Sequence, residues 1–289
     1  MTYSYHFTIS DILFEVHSPR PLAAESHLLP FMDRREGRVH LGIYISWAFG
    51  DAPKIRTEPL GADRVQTYYR QDGQNLCALR EAEKGWLSIC TCGDSYREFH
   101  CYINEAPFLS TPRSLGFVLR MLPLRAILQH HGVSFFHASQ IALGHTGILF
   151  TAPSGTGKTT QARLWQKYRG ARIVCNDRVL VKDGCTAGFP LDGSEPIGST
   201  EENRLGAIVA LRQGPDDQVR RLGPAKALQR LMPLLVIDGW DPQARQTAAG
   251  QLLQLIGTVP VYDLVCTPQE AAVACLEKQL KKDGVIRWE

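Results

Sequence analysis

The sequence has no apolar run of the ~18 to 20 residues that a membrane span needs. Its first residues, Met1-Thr-Tyr-Ser-Tyr-His6, lack the basic-then-apolar order of a secretory leader. The expectations are no membrane partner and a cytoplasmic location. Charge of one sign is also scarce: 32 Lys and Arg against 29 Asp and Glu leave +3, too little to predict a nucleic-acid surface. Repeats and low-complexity segments are missing, and with 44% hydrophobic and 21% charged residues the composition excludes disorder over most of the length. Eight cysteines are scattered rather than packed as a disulfide framework, which fits reduced thiols. Cys90-Thr-Cys92 with Cys101 is the one cluster. With neither a Cys-x2-Cys spacing nor nearby paired histidines, it reads as small buried apolar residues rather than a zinc site.

What is present is enough chain, 289 residues, for about two domains at roughly 150 residues each. Residues 1–112 are expected to form an antiparallel β-rich domain, serving as a scaffold or in substrate recognition. Its strands are Tyr5–Ser10, Val39–Ser46, Thr67–Arg70, Trp86–Cys90 and Glu98–Ile103, rich in β-branched and aromatic residues. Gln71-Asp-Gly73 and Gly93-Asp94 are turn signals between them. Apolar positions at helical spacing from Ser114 to Gln129 predict a helix that Pro123 kinks or splits. His130-His131 ends it, read as a solvated pair favoured by the helix dipole.

In residues 113–289 the pattern changes. Val133–Leu143 and Ile148–Thr151 read as strands joined by a tight turn at Gly144–Gly147. Thr159–Arg169 offers a helix with Ala162, Trp165 and Tyr168 on one face. Ala171–Cys175 is the next apolar strand. Val179–Ala187 reads as a hairpin turning at Asp183-Gly184, which disfavours a doubly wound nucleoside-kinase core. At the C-terminus, Thr267 and Glu270 are expected to form a capping box with Pro268 at the first helical position.

Between strand and helix lies Ala152-Pro153-Ser154-Gly155-Thr156-Gly157-Lys158-Thr159-Thr160, a phosphate-loop pattern with Ala in the usual place of the first Gly. Glycines let successive backbone N–H groups turn inward onto phosphate oxygens, the lysine reaches the β and γ phosphates, and the Thr159 hydroxyl ligates Mg²⁺. The helix dipole adds to the anion site. Asp177, following the next strand, stands where a carboxylate would hold Mg²⁺; the bland alternative is a structural strand-end acid. His137 lies in the strand paired beside the loop, and spacing alone favours a structural histidine. Arg169, Arg172, Arg178 and Arg204 are candidate phosphate ligands among which the sequence does not choose.

The runs Phe136-His-Ala-Ser139, Gly147–Trp165 and Cys175-Asn-Asp-Arg178 resemble the HPr kinase/phosphorylase-like kinases, and within them the bacterial branch associated with peptide natural products, including the lasso-peptide precursor kinases. The resemblance extends through Gly188–Gly193 and Val259–Pro268 and covers roughly residues 130 to 280. It implies an α/β (α+β) phosphoenolpyruvate-carboxykinase-like nucleotide domain with a mixed sheet. It also implies Mg-ATP-dependent phosphorylation of a serine hydroxyl in a protein, a peptide or free serine. By family position His137 matches the histidine upstream of the loop. Asn176-Asp177 departs from the family's usual two aspartates.

The resulting expectation is a kinase with ATP and Mg²⁺ as cofactors. Ala152 to Thr160 would bind the nucleotide, Thr159 and Asp177 the metal, and Asp177, His137 and Lys158 would be catalytic. Asp177 or His137 would accept the serine proton, a metal-bound carboxylate being the poorer base. The alternatives are a kinase of free serine or another small alcohol, an ATPase or sensor without acceptor, for which Asn176 is the best support, and a phosphorylase or pyrophosphate-using relative. Gly193 to Asn203, with Ser194, Glu195, Ser199 and Glu201, has the composition of an acceptor-binding loop.

Overall fold

The computed structural model describes residues 1–32, 37–63, 65–191, 199–237 and 242–286, with the backbone alone for 242–244. The chain divides into two compact units, Met1–His131 with Asp238–Arg245, and Gly132–Ile237 with Gln246–Glu289. Each has its own eight-stranded sheet.

The first unit contains β1 (Tyr3–Ile9), β2 (Ile12–Ser18), β3 (Val39–Ser46), β4 (Gly61–Ala62), β5 (Gln66–Gln71), β6 (Gln74–Glu81), β7 (Gly85–Cys92) and β8 (Glu98–Ile103), in the order β1-β2-β3-β8-β7-β6-β5-β4. Three helices accompany it: α1 (Leu29–Met32), α2 (Leu115–Arg120) and α3 (Leu124–His130). The expected antiparallel arrangement is corrected here, because β3 runs parallel to both β2 and β8. The twenty residues between β2 and β3 are enough for the crossover that parallel strands require and a tight turn cannot supply. The Asp72-Gly73 turn has both residues at positive φ, the geometry that matches strand twist in a two-residue hairpin. Pro123 splits the helix as expected, closing α2 and opening α3. His130 stacks on Tyr96 at 4.2 Å between ring centroids. His130 is exposed, as the solvated reading expects, while desolvation on its packed side, reinforced by neighbouring His131, draws its imidazole below the usual histidine range, against the cation that the helix dipole would favour.

The second unit contains β9 (Ser134–Leu143), β10 (Thr146–Thr151), α4 (Lys158–Arg169), β11 (Arg172–Cys175), β12 (Arg178–Lys182), β13 (Cys185–Ala187), β14 (Asn203–Gln213), β15 (Gln218–Arg221), α5 (Pro224–Leu231), α6 (Pro242–Thr258) from Gln246 onward, β16 (Val261–Cys266) and α7 (Glu270–Lys282). β10 is antiparallel to β9 but parallel to β14, which is parallel to β16. The expected hairpin after Asp177 is β12–β13, with Asp183 and Gly184 at positive φ. It links β9 to β14, so that β9, β10, β14, β13 and β12 close a ring. Alternation along the strands then produces two cores. Ile148, Phe150, Val209, Leu211 and Leu264 pack with Ala162 and Trp165 of α4 and with Val273 and Leu276 of α7. Leu149, Ile208, Ala210 and Val261 pack with α5 and α6 on the other face.

The C-terminal capping box does not form. α7 begins at Glu270 with Gln269 as its N-cap and no side-chain cap bond. Thr267 is engaged elsewhere: its backbone N–H donates to Asp217 Oδ1 at 2.6 Å and its hydroxyl to Oδ2 at 3.2 Å. In the first unit, Cys90 and Cys101 are register partners, both buried, and Cys90 Sγ donates to Cys101 Sγ at 2.8 Å. Burial and the neighbouring thiol push Cys90 well above the usual thiol range.

Candidate functional site

The carboxyl ends of β10, β14 and β16 lie together, with Thr151 beside Ala210 and Ala210 beside Asp263. The phosphate loop leaves this edge. Gly155 and Gly157 sit at φ +78° and +107°. Space is open around Gly155 and the nearest atom to an added Cβ at Gly157 is 3.9 Å away, so it is backbone conformation that requires glycine there. Gly157 is the N-cap of α4 without a side-chain cap, so the first-turn N–H groups are not capped by a side chain and face the loop's concavity, where the helix dipole favours an anion. The turn is tied by Thr156 Oγ1 donating to Pro153 O at 2.9 Å. Gln213, at the end of β14, holds its rim through Nε2 to Gly155 O at 3.3 Å and Thr156 O at 3.4 Å.

Lys158 is buried, and its ammonium turns back into the loop, donating to Ala152 O at 3.0 Å and Pro153 O at 3.3 Å. Burial draws its pKa below the ordinary lysine value, and the Asp177 carboxylate offsets part of that. Lys158 and Asp177 are therefore electrostatic neighbours. Thr159, half-buried, and Thr160, exposed, belong to the first turn of α4, while Ser154 is exposed on the loop.

On the other side of β10, Thr151 Oγ1 donates to His137 O at 3.2 Å, and Ala138 N to Asp177 O at 3.1 Å. His137 Nδ1 lies 3.1 Å from Asp177 Oδ1 and 3.2 Å from Asp177 O. Both partners accept only, so in the neutral form of the ring Nδ1 carries the proton and Nε2 is the acceptor nitrogen. Asn176 is turned away from metal duty, its Oδ1 accepting from buried Ser139 Oγ at 3.0 Å.

Of the four candidate arginines, Arg178 stands at this site, its Nε 3.8 Å from Asp177 Oδ2. Arg169 ties α4 to α7 through Glu277 and Glu270. Arg172 pairs with Glu201, and Arg204 lies at the opposite, amino-terminal end of β14. Of the expected acceptor loop, Ser199 and Glu201 bond each other, Ser199 Oγ accepting from Glu201 N at 3.2 Å. Residues 193–198, Ser194 and Glu195 included, lie outside the described residues. Gln213 and Thr151 were not legible from motif spacing; their roles follow from strand register alone.

Among the described residues, no group of three or more His, Cys, Asp and Glu is arranged to hold a metal. One carboxylate and one hydroxyl, Asp177 and Thr159, fit Mg²⁺ in its usual nucleotide setting, where phosphates and water fill most of the coordination shell.

No protein-family model matches the chain, and no curated protein matches it in sequence. Among solved structures it is similar to the Hpr(Ser) kinase/phosphatase from Coxiella burnetii, with 10% identity over 52% of this chain and 98% of that one and a TM-score of 0.31. At that score the likeness establishes neither fold nor function. No described helix is long and apolar enough to cross a membrane.

Proposed function

We propose that this chain is a Mg-ATP-dependent kinase that moves the γ-phosphoryl group to a serine hydroxyl of a peptide or protein, acting in peptide maturation in the cytoplasm. The observation that carries the reading is the meeting at one sheet edge of a glycine-shaped phosphate loop, a buried lysine and a His–Asp pair. A bare anion site would need the loop and lysine but not a proton acceptor beside them.

Ala152 to Thr160 would hold the phosphates, with backbone N–H groups and Lys158 drawing charge off the β and γ oxygens. Thr159 and Asp177 would hold Mg²⁺, which when bound supplies further neutralisation of phosphate charge. The His137 ring, fixed by Nδ1–H donation to Asp177, presents Nε2 to take the serine proton. This divides the labour left open by Asn176: Asp177 orients the base and faces the metal, and His137 accepts the proton. Low-dielectric burial strengthens the pull of Lys158 on an anion.

Mass spectrometry of Mg-ATP reactions with a panel of serine-containing peptides and free serine, run beside Lys158→Ala, tests the reading. A phosphorylated peptide that disappears in the variant supports it. ADP release without any phosphorylated acceptor overturns it in favour of an ATPase or sensor.

A further inference from the structure

On the face of the sheet covered by α5 and α6, Asp263 in β16 is buried, with a side chain 7% exposed, and three guanidinium groups gather on it. Arg212 of β14 grips it with two nitrogens, Nη2 on Oδ2 and Nε at 3.3 Å from Oδ1. Arg230 of α5 donates Nε to Oδ1 at 3.2 Å and Nη2 to Leu211 O at 2.9 Å. Arg220 of β15, the register partner of Asp263, has Nη2 3.9 Å from Oδ2. Among the described residues, one carboxylate thus faces three cations. A single partner would satisfy a buried aspartate. The surplus leaves about two positive charges, with the side chains of Arg212 and Arg220 more than half exposed and most of their N–H donors unspent.

The cluster's place gives the surplus a use. Thr151, Ala210 and Asp263 are aligned across β10, β14 and β16, so the buried aspartate lies two strand spacings, about 10 Å, from the strand that feeds the phosphate loop. Arg212 is next in sequence to Gln213, which holds the loop's rim; consecutive strand residues point to opposite faces, so the cluster and the loop meet over the carboxyl ends of the strands. A free amino acid is too short to fill both places. His137, the proposed base, lies on β9, one strand spacing further still, where Ala138 pairs with Thr151, so about four extended residues, at roughly 3.3 Å each, span the roughly 15 Å between base and aspartate.

We propose that Arg212, Arg220 and Arg230, braced by Asp263, form an anion site for an acidic group on the acceptor peptide, about four residues from the serine that is phosphorylated. Guanidinium forks suit carboxylate and phosphate alike, so a Glu, a chain-terminal carboxylate or an already phosphorylated residue shares the required chemistry. The proposal rests on the kinase reading for its acceptor, but its binding test does not depend on turnover.

The experiment measures, with Mg-AMP-PNP saturating, the binding of three peptides that differ only four positions from the serine, carrying Glu, phosphoserine or Gln there. The wild-type chain is compared with Arg220→Gln, whose exposed side chain is the one least needed for folding, and then with Arg212→Gln. The acidic peptides are expected to bind about tenfold tighter than the Gln peptide, the worth of one charge-assisted hydrogen-bonded contact. In Arg220→Gln that preference shrinks several-fold, with Mg-AMP-PNP affinity within twofold of wild type. The Glu and phosphoserine arms show which anion is favoured. Equal binding of all three peptides, no peptide binding, or an equal loss of nucleotide affinity in Arg220→Gln overturns the proposal, the last by giving the arginines to the nucleotide. Arginine-dependent peptide binding without phosphoryl transfer would leave the anion site standing and remove the kinase reading. Transfer to acidic and neutral peptides alike would do the reverse.

Discussion

The two units place their polar groups in opposite ways. In Met1–His131 several polar groups near the core are closed on one another: Ser88 Oγ donates to Met121 O at 2.7 Å, and Ser114 both caps α2 and bonds Glu25. The second unit leaves chemistry unspent at one sheet edge. There the first turn of α4 is uncapped by any side chain, Lys158 donates to loop carbonyls with Asp177 as its electrostatic neighbour, His137 keeps one ring nitrogen for a proton, and among the described residues three arginines share one carboxylate. A folded chain normally spends its buried donors and acceptors internally. Concentrated surplus is therefore the physical mark of a site, and it is found in the second unit, where the carboxyl ends of the parallel strands β10, β14 and β16 lie side by side.

The sharpest way to break this contrast is to remove the lysine. Lys158→Ala is expected to lower phosphoryl transfer by about 10³-fold or more, and to abolish the Mg-ATP-dependent rise in thermal midpoint, while circular dichroism stays that of the wild type. Transfer at the wild-type rate in a folded variant would dissolve the distinction between the units. Next in size, His137→Ala should reduce kcat about 10²- to 10⁴-fold, the usual worth of a positioned base, with KM for ATP little changed and partial rescue by added imidazole. Rescue is the discriminating readout, since a purely structural histidine leaves a hole that imidazole does not make catalytic.

How much of this was legible beforehand follows the range of the interactions. The phosphate loop, the helix after it and the Asp183-Gly184 hairpin are local patterns, and their residues carry their own backbone preferences. β3 and β8 were visible as strands, but their parallel pairing was not, because alternation along a strand says nothing of its neighbour's direction. The failed capping box teaches the same. Thr267 and Glu270 have the right spacing, yet Asp217, fifty residues earlier, takes the threonine. In the site, Lys158, Asp177 and His137 could be named from sequence, while the bond that fixes the histidine tautomer, the rim contact of Gln213 and the gathering of Arg212, Arg220 and Arg230 on Asp263 arise from register between strands distant in sequence.

The first unit supplies the complementary tests. Phe14 is fully buried and stacks on Phe7 at 4.8 Å between centroids. Phe14→Ala should cost about 3–5 kcal/mol in denaturant unfolding of that unit and leave the Mg-ATP dissociation constant unchanged at temperatures where the variant is folded. A parallel loss of nucleotide affinity would show that the site draws on the first sheet's integrity.

The smallest expected effect is at Glu25, where pH separates the two readings of a capping carboxylate. Burial would raise the Glu25 pKa, but hydrogen bonds from Ser114 Oγ at 2.5 Å and Gly116 N at 3.0 Å outweigh it and hold the group below its ordinary value. A carboxylate depressed by folding stabilises above its unfolded pKa, and that contribution is lost as pH falls through the folded value. Glu25→Gln should therefore cost about 0.5–1 kcal/mol at pH 7, allowing for solvent screening of a partly exposed group. The difference from wild type should shrink toward zero on acidification below the ordinary glutamate range. A penalty that persists unchanged in acid would assign Glu25 a packing role over Gly116, where an added Cβ would fall 2.4 Å from Oε1, rather than an electrostatic one. Neither outcome should alter phosphoryl transfer, because the carboxylate is spent within its own unit.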